Sequence, residues 1–282
     1  MRDRQWETTG GAVKASRIAC ARHLDECGDQ VFALRLDGTD PRRLTGGAGQ
    51  GNNWCPTWSP DGARICFTSD RGGHAGLWLM GPDGSDQRRL TGEAGAEDYE
   101  PSWAPDGASV VFSRGDHQAD DLWIVDAASG QARRLTDEQR LDVSPAWSPD
   151  GRWIVFCRIF ACPRGLHIIP AGGGAARFLI AGAHPSWAPD GKRLAFAHGA
   201  SLWLLPMSAE GEPAGRARPL VCAAEILVNA SSWSPDGEKL VFEAQVTTAC
   251  GARDRLMIVD AAGGEPHDFG PGYQPSWSPW LH

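Results

Sequence analysis

The chain has 282 residues, 41% of them hydrophobic and 22% charged, a balance that excludes disordered and collagen-like classes and leaves an ordinary globular core. A formal net charge of -8 argues against a nucleic-acid partner, which calls for a concentrated basic surface. No apolar run approaches the roughly 18 to 20 residues needed to cross a bilayer, and the opening MRDRQWETTGG has no signal-peptide core, so no membrane insertion is expected and residues 1–15 read as an N-terminal extension.

In chain order the first predicted elements are three strands, IACAR (18 to 22), QVFALRL (30 to 36) and RRLT (42 to 45). A longer unit then begins and recurs: PTWSPDG at 56 to 62, PSWAPDG at 101 to 107, PAWSPDG at 145 to 151, PSWAPDG at 185 to 191 and SSWSPDG at 231 to 237, with a short sixth copy, PSWSP, at 275 to 279. The tryptophans Trp58, Trp103, Trp147, Trp187, Trp233 and Trp277 are 45, 44, 40, 46 and 44 residues apart.

Each full unit reads as four strands. The Trp segment leads into a tight turn in which Pro supplies φ near −65° and Gly tolerates a positive φ. A β-branched run follows (RICF, SVVF, WIVF, RLAF, KLVF), then a run such as LWLM or LWIV, and last a strand such as RRLT. Turns such as PDGSD and AAGGE join the third strand to the fourth.

Four-stranded units at this period predict an all-β chain folded as one six-bladed β-propeller, four antiparallel strands per blade, over residues 16–282. The three leading strands lack an inner strand, and the orphan PSWSP supplies it, so the C-terminal strand completes the N-terminal blade. That blade is numbered 1 below. The six repeated tryptophans, and Trp78, Trp123 and Trp203 on third strands, are read as core. The arginine pairs 42–43, 88–89 and 133–134 fall on outermost strands, where charge blunts a sheet edge.

Eight cysteines sort onto these blades as four candidate disulfides. Cys20 and Cys27, and likewise Cys157 and Cys162, flank loops between second and third strands; Cys55 and Cys66 lie symmetrically about the Pro60-Asp61 turn; Cys222 and Cys250 lie in loops at one end of blade 6. Such pairing predicts a periplasmic or extracellular location. Against it stand two alternatives: cysteines serving as small apolar residues, chiefly Cys66 and Cys157, and Cys20, His23 and Cys27 as metal ligands without an evident fourth.

Loops from strand four to strand one, and from strand two to strand three, share one face of such a propeller. Two residues before the repeated Pro stand Trp54, Tyr99, Val143, Ala183, Asn229 and Tyr273, placing both tyrosines of the chain and an extra tryptophan on consecutive blades. This predicts an aromatic arc beside the channel mouth, able to stack on a peptide or a sugar ring, or else to plug the channel. One residue before the Pro stand Gln274, Cys55, Glu100, Ser144, His184 and Ala230, so Glu100, His184 and Gln274 are candidates for polar contacts. His23, His74, His117 and His198 fall in loops of the same face, and Glu97, Asp98, Asp137, Glu138 and Asp142 make one sector acidic. No H-E-x-x-H, phosphate loop, Rossmann glycine pattern or EF-hand loop occurs.

The W-[SA]-P-D-G turn followed by a β-run, LW and RRLT resembles the TolB-type repeat, a WD-repeat-related propeller family of bacterial periplasmic proteins and of the propeller domains of some peptidases. The resemblance covers about 16 to 279 and concerns the propeller only: the N-terminal α/β domain of TolB and the G-x-S-x-G turn of the peptidases have no counterpart here. It implies a non-enzymatic module that binds a protein or peptide through the loop face. A monomer is expected, and no cofactor is predicted. The alternative is a lyase-like propeller enzyme acting on a carbohydrate or small molecule, with a metal ion held at the channel mouth by His184 and Glu100.

Overall fold

A computed structural model describes residues 16–25, 27–46, 51–92, 95–138, 140–222, 226–248 and 251–279, so the 1–15 extension and Cys250 lie outside the described residues. The described chain forms six four-stranded antiparallel sheets. Blade 1 takes Tyr273–Trp277 as its inner strand, followed by Arg17–Leu24, Gly28–Arg35 and Arg42–Arg43. Blades 2 to 6 have the inner strands Asn53–Trp58, Glu97–Trp103, Asp142–Trp147, Ala183–Trp187 and Ile226–Trp233, each followed outward by its three successors in sequence. The ring closes between the chain ends, where Ile18 faces Trp277 and Ala19 faces Ser276.

The repeat builds each blade by a short set of bonds. In blade 2 the Ser59 hydroxyl donates to Asp61 at 2.5 Å and accepts the Arg64 amide at 2.9 Å, while Gly62 takes φ +70°, where a Cβ would be strained. At the outer edge Arg88 donates to the Ala127 carbonyl of the next blade at 3.0 Å, and Arg89 to the Thr91 carbonyl just beyond its own strand at 2.8 Å. The Thr91 hydroxyl accepts the Leu77 amide at 3.0 Å. Arg88, and likewise Arg133 through the Ala171 carbonyl at 2.9 Å, thus tie neighbouring blades together as well as charging the edge.

The core lies between blades. Among the described residues six apolar clusters fill the six interfaces, from Phe67 with Ala19 and Leu44 between blades 1 and 2 to Val241 with Ile18 and Trp277 between blades 6 and 1. The second strands carry Phe67, Phe112, Phe156, Phe196 and Phe242, all fully buried. Trp58, Trp103, Trp233 and Trp277 are buried, whereas Trp147 and Trp187 are half-buried and reach the channel wall.

The disulfide expectation is corrected: none of the described cysteines is paired. Cys20 lies opposite Phe32, four rungs from the Leu24–Gly28 end of its hairpin and so about 13 Å from the exposed Cys27. Cys66 faces Thr57 and joins the interface with blade 3, because the ladder breaks between Trp54 and Thr57 and turns Cys55 into the channel. Cys157 packs between blades 4 and 5 with its thiol toward the Gly182 carbonyl, while Cys162 stands exposed in the loop beyond. Cys222 is exposed, and its expected partner Cys250 lies outside the described residues. The pairing argument for an oxidising compartment falls with these bridges.

Burial pushes the thiols of Cys20 and Cys157 up to about 11, and that of Cys66 further still. Brief alkylation of the native protein at neutral pH is therefore expected to label Cys27, Cys162 and Cys222 and to spare Cys20, Cys66 and Cys157 until denaturant is added. Peptide mapping reads the order, and early labelling of Cys66 contradicts the packing.

Candidate functional site

The repeated Pro governs the channel mouth. It has no N–H to give the second strand, so the inner ladder skips there, between Trp54 and Thr57, Tyr99 and Ser102, Val143 and Ala146, and Ala183 and Ser186. The residue before each Pro is thrown into the left-handed region: φ is +49° at Gln274, +48° at Cys55, +55° at Glu100, +52° at Ser144 and +50° at His184. Non-glycine residues rarely adopt such values, at a cost of about 1–3 kcal/mol each.

The resulting side chains line a cavity of about 510 Å³ at the channel axis. They hold one another in a belt in which a side chain of one blade accepts the bulge amide of the next. The Cys55 amide donates to Gln274 Oε1 at 2.9 Å, the Glu100 amide to the Cys55 sulfur, and the Ser144 amide to Glu100 Oε2 at 2.6 Å. Glu100 Oε1 also accepts the Ser144 hydroxyl proton at 3.1 Å, which leaves the hydroxyl oxygen to accept from His184 Nδ1 at 3.3 Å. Burial and the Glu100 carboxylate push the Cys55 thiol well above its ordinary range, so it stays neutral.

Blade 6 has Ala230 at this position and recruits Glu243 from its second strand instead. Glu243 accepts the Gln274 amide at 2.9 Å and the Asn229 side chain at 2.7 Å. Reasoning on the inner strand alone missed it. The signal lay in the next strand, where the residue after the repeated Phe is Thr68, Ser113, Cys157, Ala197 or Glu243, so that one carboxylate stands among small residues.

The aromatic position behaves differently. Glu100, His184 and Gln274 line the cavity, but Trp54, Tyr99 and Tyr273 lie outside its lining. The Tyr99 side chain turns back to its own blade, where its hydroxyl donates to Asp120 and its ring stacks on His117 at 4.7 Å. Tyr273 makes the equivalent bond to Asp29, whose carboxylate also meets His23 at 2.8 Å; burial and that carboxylate push the phenol well above its usual range. Trp54 is half-buried.

Much of the expected acidic sector is neutralised. Asp98 holds Arg114 at 2.5 and 2.9 Å, and Asp142 holds Arg158 at 2.7 and 2.8 Å, with all four side chains buried. Glu97 bonds His117 and Glu138 bonds Arg158, both at 2.7 Å. Cys20 and His23 face different surroundings, the core and Asp29, and among the described residues no three His, Cys, Asp or Glu side chains converge on a metal position.

Similar folds occur in proteins of different kinds. TolB from Acinetobacter baumannii is 20% identical, with a TM-score of 0.75 over 94% of this chain and 67% of that one. A chain of the nidogen/laminin complex is 11% identical, with a TM-score of 0.73 over 94% of this chain and 98% of that one. An oligogalacturonate lyase in complex with manganese is 16% identical, with a TM-score of 0.62 over 91% and 78%. At these identities the likeness shows fold alone. The family described as the TolB beta propeller domain matches residues 14–117 and 96–281, nearly the whole length, and the chain belongs to that family.

Proposed function

We propose that the protein is a non-enzymatic binding module that takes up a protein or peptide through its loop face and channel mouth. The observation that carries this reading is the belt itself. One repeat position is filled by Gln274, Cys55, Glu100, Ser144, His184 and Ala230 on successive blades while the flanking Pro, Trp and Asp-Gly scarcely change, so the fold does not dictate its chemistry. These side chains stand on rigid strands and open to a cavity of about 510 Å³, the setting in which a few placed polar groups select a ligand. Trp54, Tyr99 and Tyr273 stand outside the cavity lining and are not needed for this reading. The nidogen/laminin complex places a similar fold in a protein assembly. A periplasmic or extracellular location rests on the family resemblance alone.

The lyase with manganese is the basis for an enzymatic reading. Glu100 and His184 are both bonded to Ser144, and no third ligand joins them among the described residues. The residues present do not fit a manganese set, and no catalytic step is derived through one.

A partner recovered by cross-linking and then purified tests the proposal. Combining Glu100→Gln with His184→Ala is expected to weaken its binding about tenfold or more, with the melting temperature little changed. Equal affinity for wild type and variant, measured by calorimetry, would remove the mouth from the site.

A further inference from the structure

The face opposite the loops carries the Trp-Ser-Pro-Asp-Gly turns, and one repeat position there stitches blades together. Arg64 of blade 2, two residues after the turn glycine, lies over the Trp103 ring of blade 3 at 4.8 Å and donates to the Gly107 carbonyl at 3.1 Å. Arg193 of blade 5 repeats both contacts on blade 6, over Trp233 at 4.7 Å and to the Gly237 carbonyl at 3.1 Å. The joint of blades 3 and 4 has Ser109 at this position and closes otherwise. There the Trp147 indole takes the Gly151 carbonyl at 3.1 Å, and a Cβ on Gly151 would stand 3.4 Å from Pro105.

At the joint of blades 4 and 5 neither arrangement occurs. The position holds Trp153, whose indole N–H donates to the Ala209 carbonyl at 3.3 Å. That acceptor belongs to the blade 5 segment 207–217, the longest of the links between third and fourth strands, which holds Trp153 to itself. The Gly191 carbonyl meets no donor among the described residues. A Cβ on Gly191 would have nothing within 4 Å, whereas one on Gly237 would meet Arg193 Nη2 at 3.0 Å and one on Gly107 would meet Pro60 at 3.8 Å. The result is a cleft of about 770 Å³ lined by Trp153, Trp187, Pro149, Gly191, Pro206 and Met207. Asp150 also lines it, in the place from which Asp190 of blade 5 holds Arg193 at 2.9 and 3.2 Å; its Oδ2 accepts from Arg152 at 2.8 Å. The cations of the lining, Arg152 and Lys192, are both exposed, where solvent screens them.

We propose that this cleft receives the arginine side chain of a partner polypeptide, in the place that Arg64 and Arg193 fill at their own joints. The guanidinium stacks on the Trp187 indole, donates to the Gly191 carbonyl and faces Asp150. Two joints of the same ring supply the precedent for both contacts. A guanidinium suits the place better than an ammonium, because its plane lies on a ring while its edge donates to a carbonyl. The source is a polypeptide because the cleft is larger than one side chain, and Pro149, Pro206 and Met207 are left to cover the stem and flanking residues. This site is separate from the channel mouth and does not depend on the function proposed there.

The test titrates the full chain with a capped Gly-Arg-Gly peptide, its lysine and citrulline counterparts and free arginine, following the tryptophan indole N–H signals by NMR. The arginine peptide is expected to shift the Trp153 and Trp187 signals saturably and to give contacts from its side chain to the Trp187 ring. Its affinity should exceed that of the citrulline peptide about tenfold and that of the lysine peptide about threefold or more. Trp153→Arg, which restores the arginine of the repeat and so fills the cleft from within, should abolish the binding. Absence of any shift, equal binding of the arginine and citrulline peptides, or equal binding of the lysine peptide overturns the guanidinium site on the wild-type protein alone, so the result stands even where Trp153→Arg does not fold. A folded Trp153→Arg that binds as wild type places the binding elsewhere and overturns the cleft. Free arginine that binds more tightly than the capped peptide overturns the polypeptide as its source.

Discussion

Removing the chain from Pro275 onward is expected to abolish cooperative unfolding of the whole propeller. The inner strand Tyr273–Trp277 joins blade 1 to both of its neighbours. Its Trp277 amide donates to the Ser232 hydroxyl of blade 6 at 2.9 Å, and its Ser276 hydroxyl accepts the Trp58 amide of blade 2 at 3.2 Å. The Trp277 indole, 8% exposed, donates to Ser16 at 2.9 Å, and Ser16 in turn reaches Ser278. Loss of one buried tryptophan costs about 3–5 kcal/mol. Losing the strand also strips the blade 1 ladder and leaves the channel-side edge of Arg17–Leu24 unpaired. The sum approaches the ~5–15 kcal/mol by which a typical domain is stable. Calorimetry should show a broad, low-enthalpy transition or none, and adding the peptide PSWSPWLH in excess should restore part of it. A truncated protein that melts at the wild-type temperature would break the assignment of this strand as the closure.

Asp142→Ala is expected to destabilise the protein by roughly 3–5 kcal/mol, because it strands a buried guanidinium. Arg158 is 3% exposed and lies over the Phe156 ring at 5.3 Å; its fork holds both Asp142 oxygens, and Glu138 takes only its remaining edge. A melting temperature lower by about 5–15 °C should follow, and it should be nearly the same at low and high salt, since a buried pair is poorly screened. Replacing both partners, Asp142→Leu with Arg158→Met, should recover most of the loss by removing the charge that had no counterpart. Asp268→Ala breaks the exposed Arg255 pair and serves as a comparator, with an expected cost under about 1 kcal/mol. If the buried and exposed variants melt alike, the pair is not the internal strut its geometry describes.

Blade number, strand order and ring closure were all legible in the repeat. Trp-Ser-Pro-Asp-Gly specifies a turn through local bonds, as Ser59, Asp61 and Gly62 show, and the alternating run after it can pair only with its neighbours. The position before the Pro was legible for the same reason: it is polar on five blades, Gln274, Cys55, Glu100, Ser144 and His184, and is followed by Pro on each of them. The aromatic position was misjudged in direction. The bulge turns adjacent residues to different sides, so Glu100 enters the channel while Tyr99 turns back to Asp120. The expected Cys55–Cys66 bridge failed on the same bulge, which puts Thr57 opposite Cys66.

By itself, then, the sequence determined the elements whose causes lie within a few residues or one repeat period: the turns, the strands, the six blades and the clasp at Trp277. Only the tertiary structure decided which side chains meet across blades. The Cys55, Glu100 and Ser144 belt, the substitution of Glu243 for the missing polar group at Ala230, and the burial of Asp98 and Asp142 with arginines each depend on contacts between elements far apart in the chain. A bulge amide must find an acceptor and a buried charge must find its opposite, but which neighbour supplies them is fixed by how the blades pack.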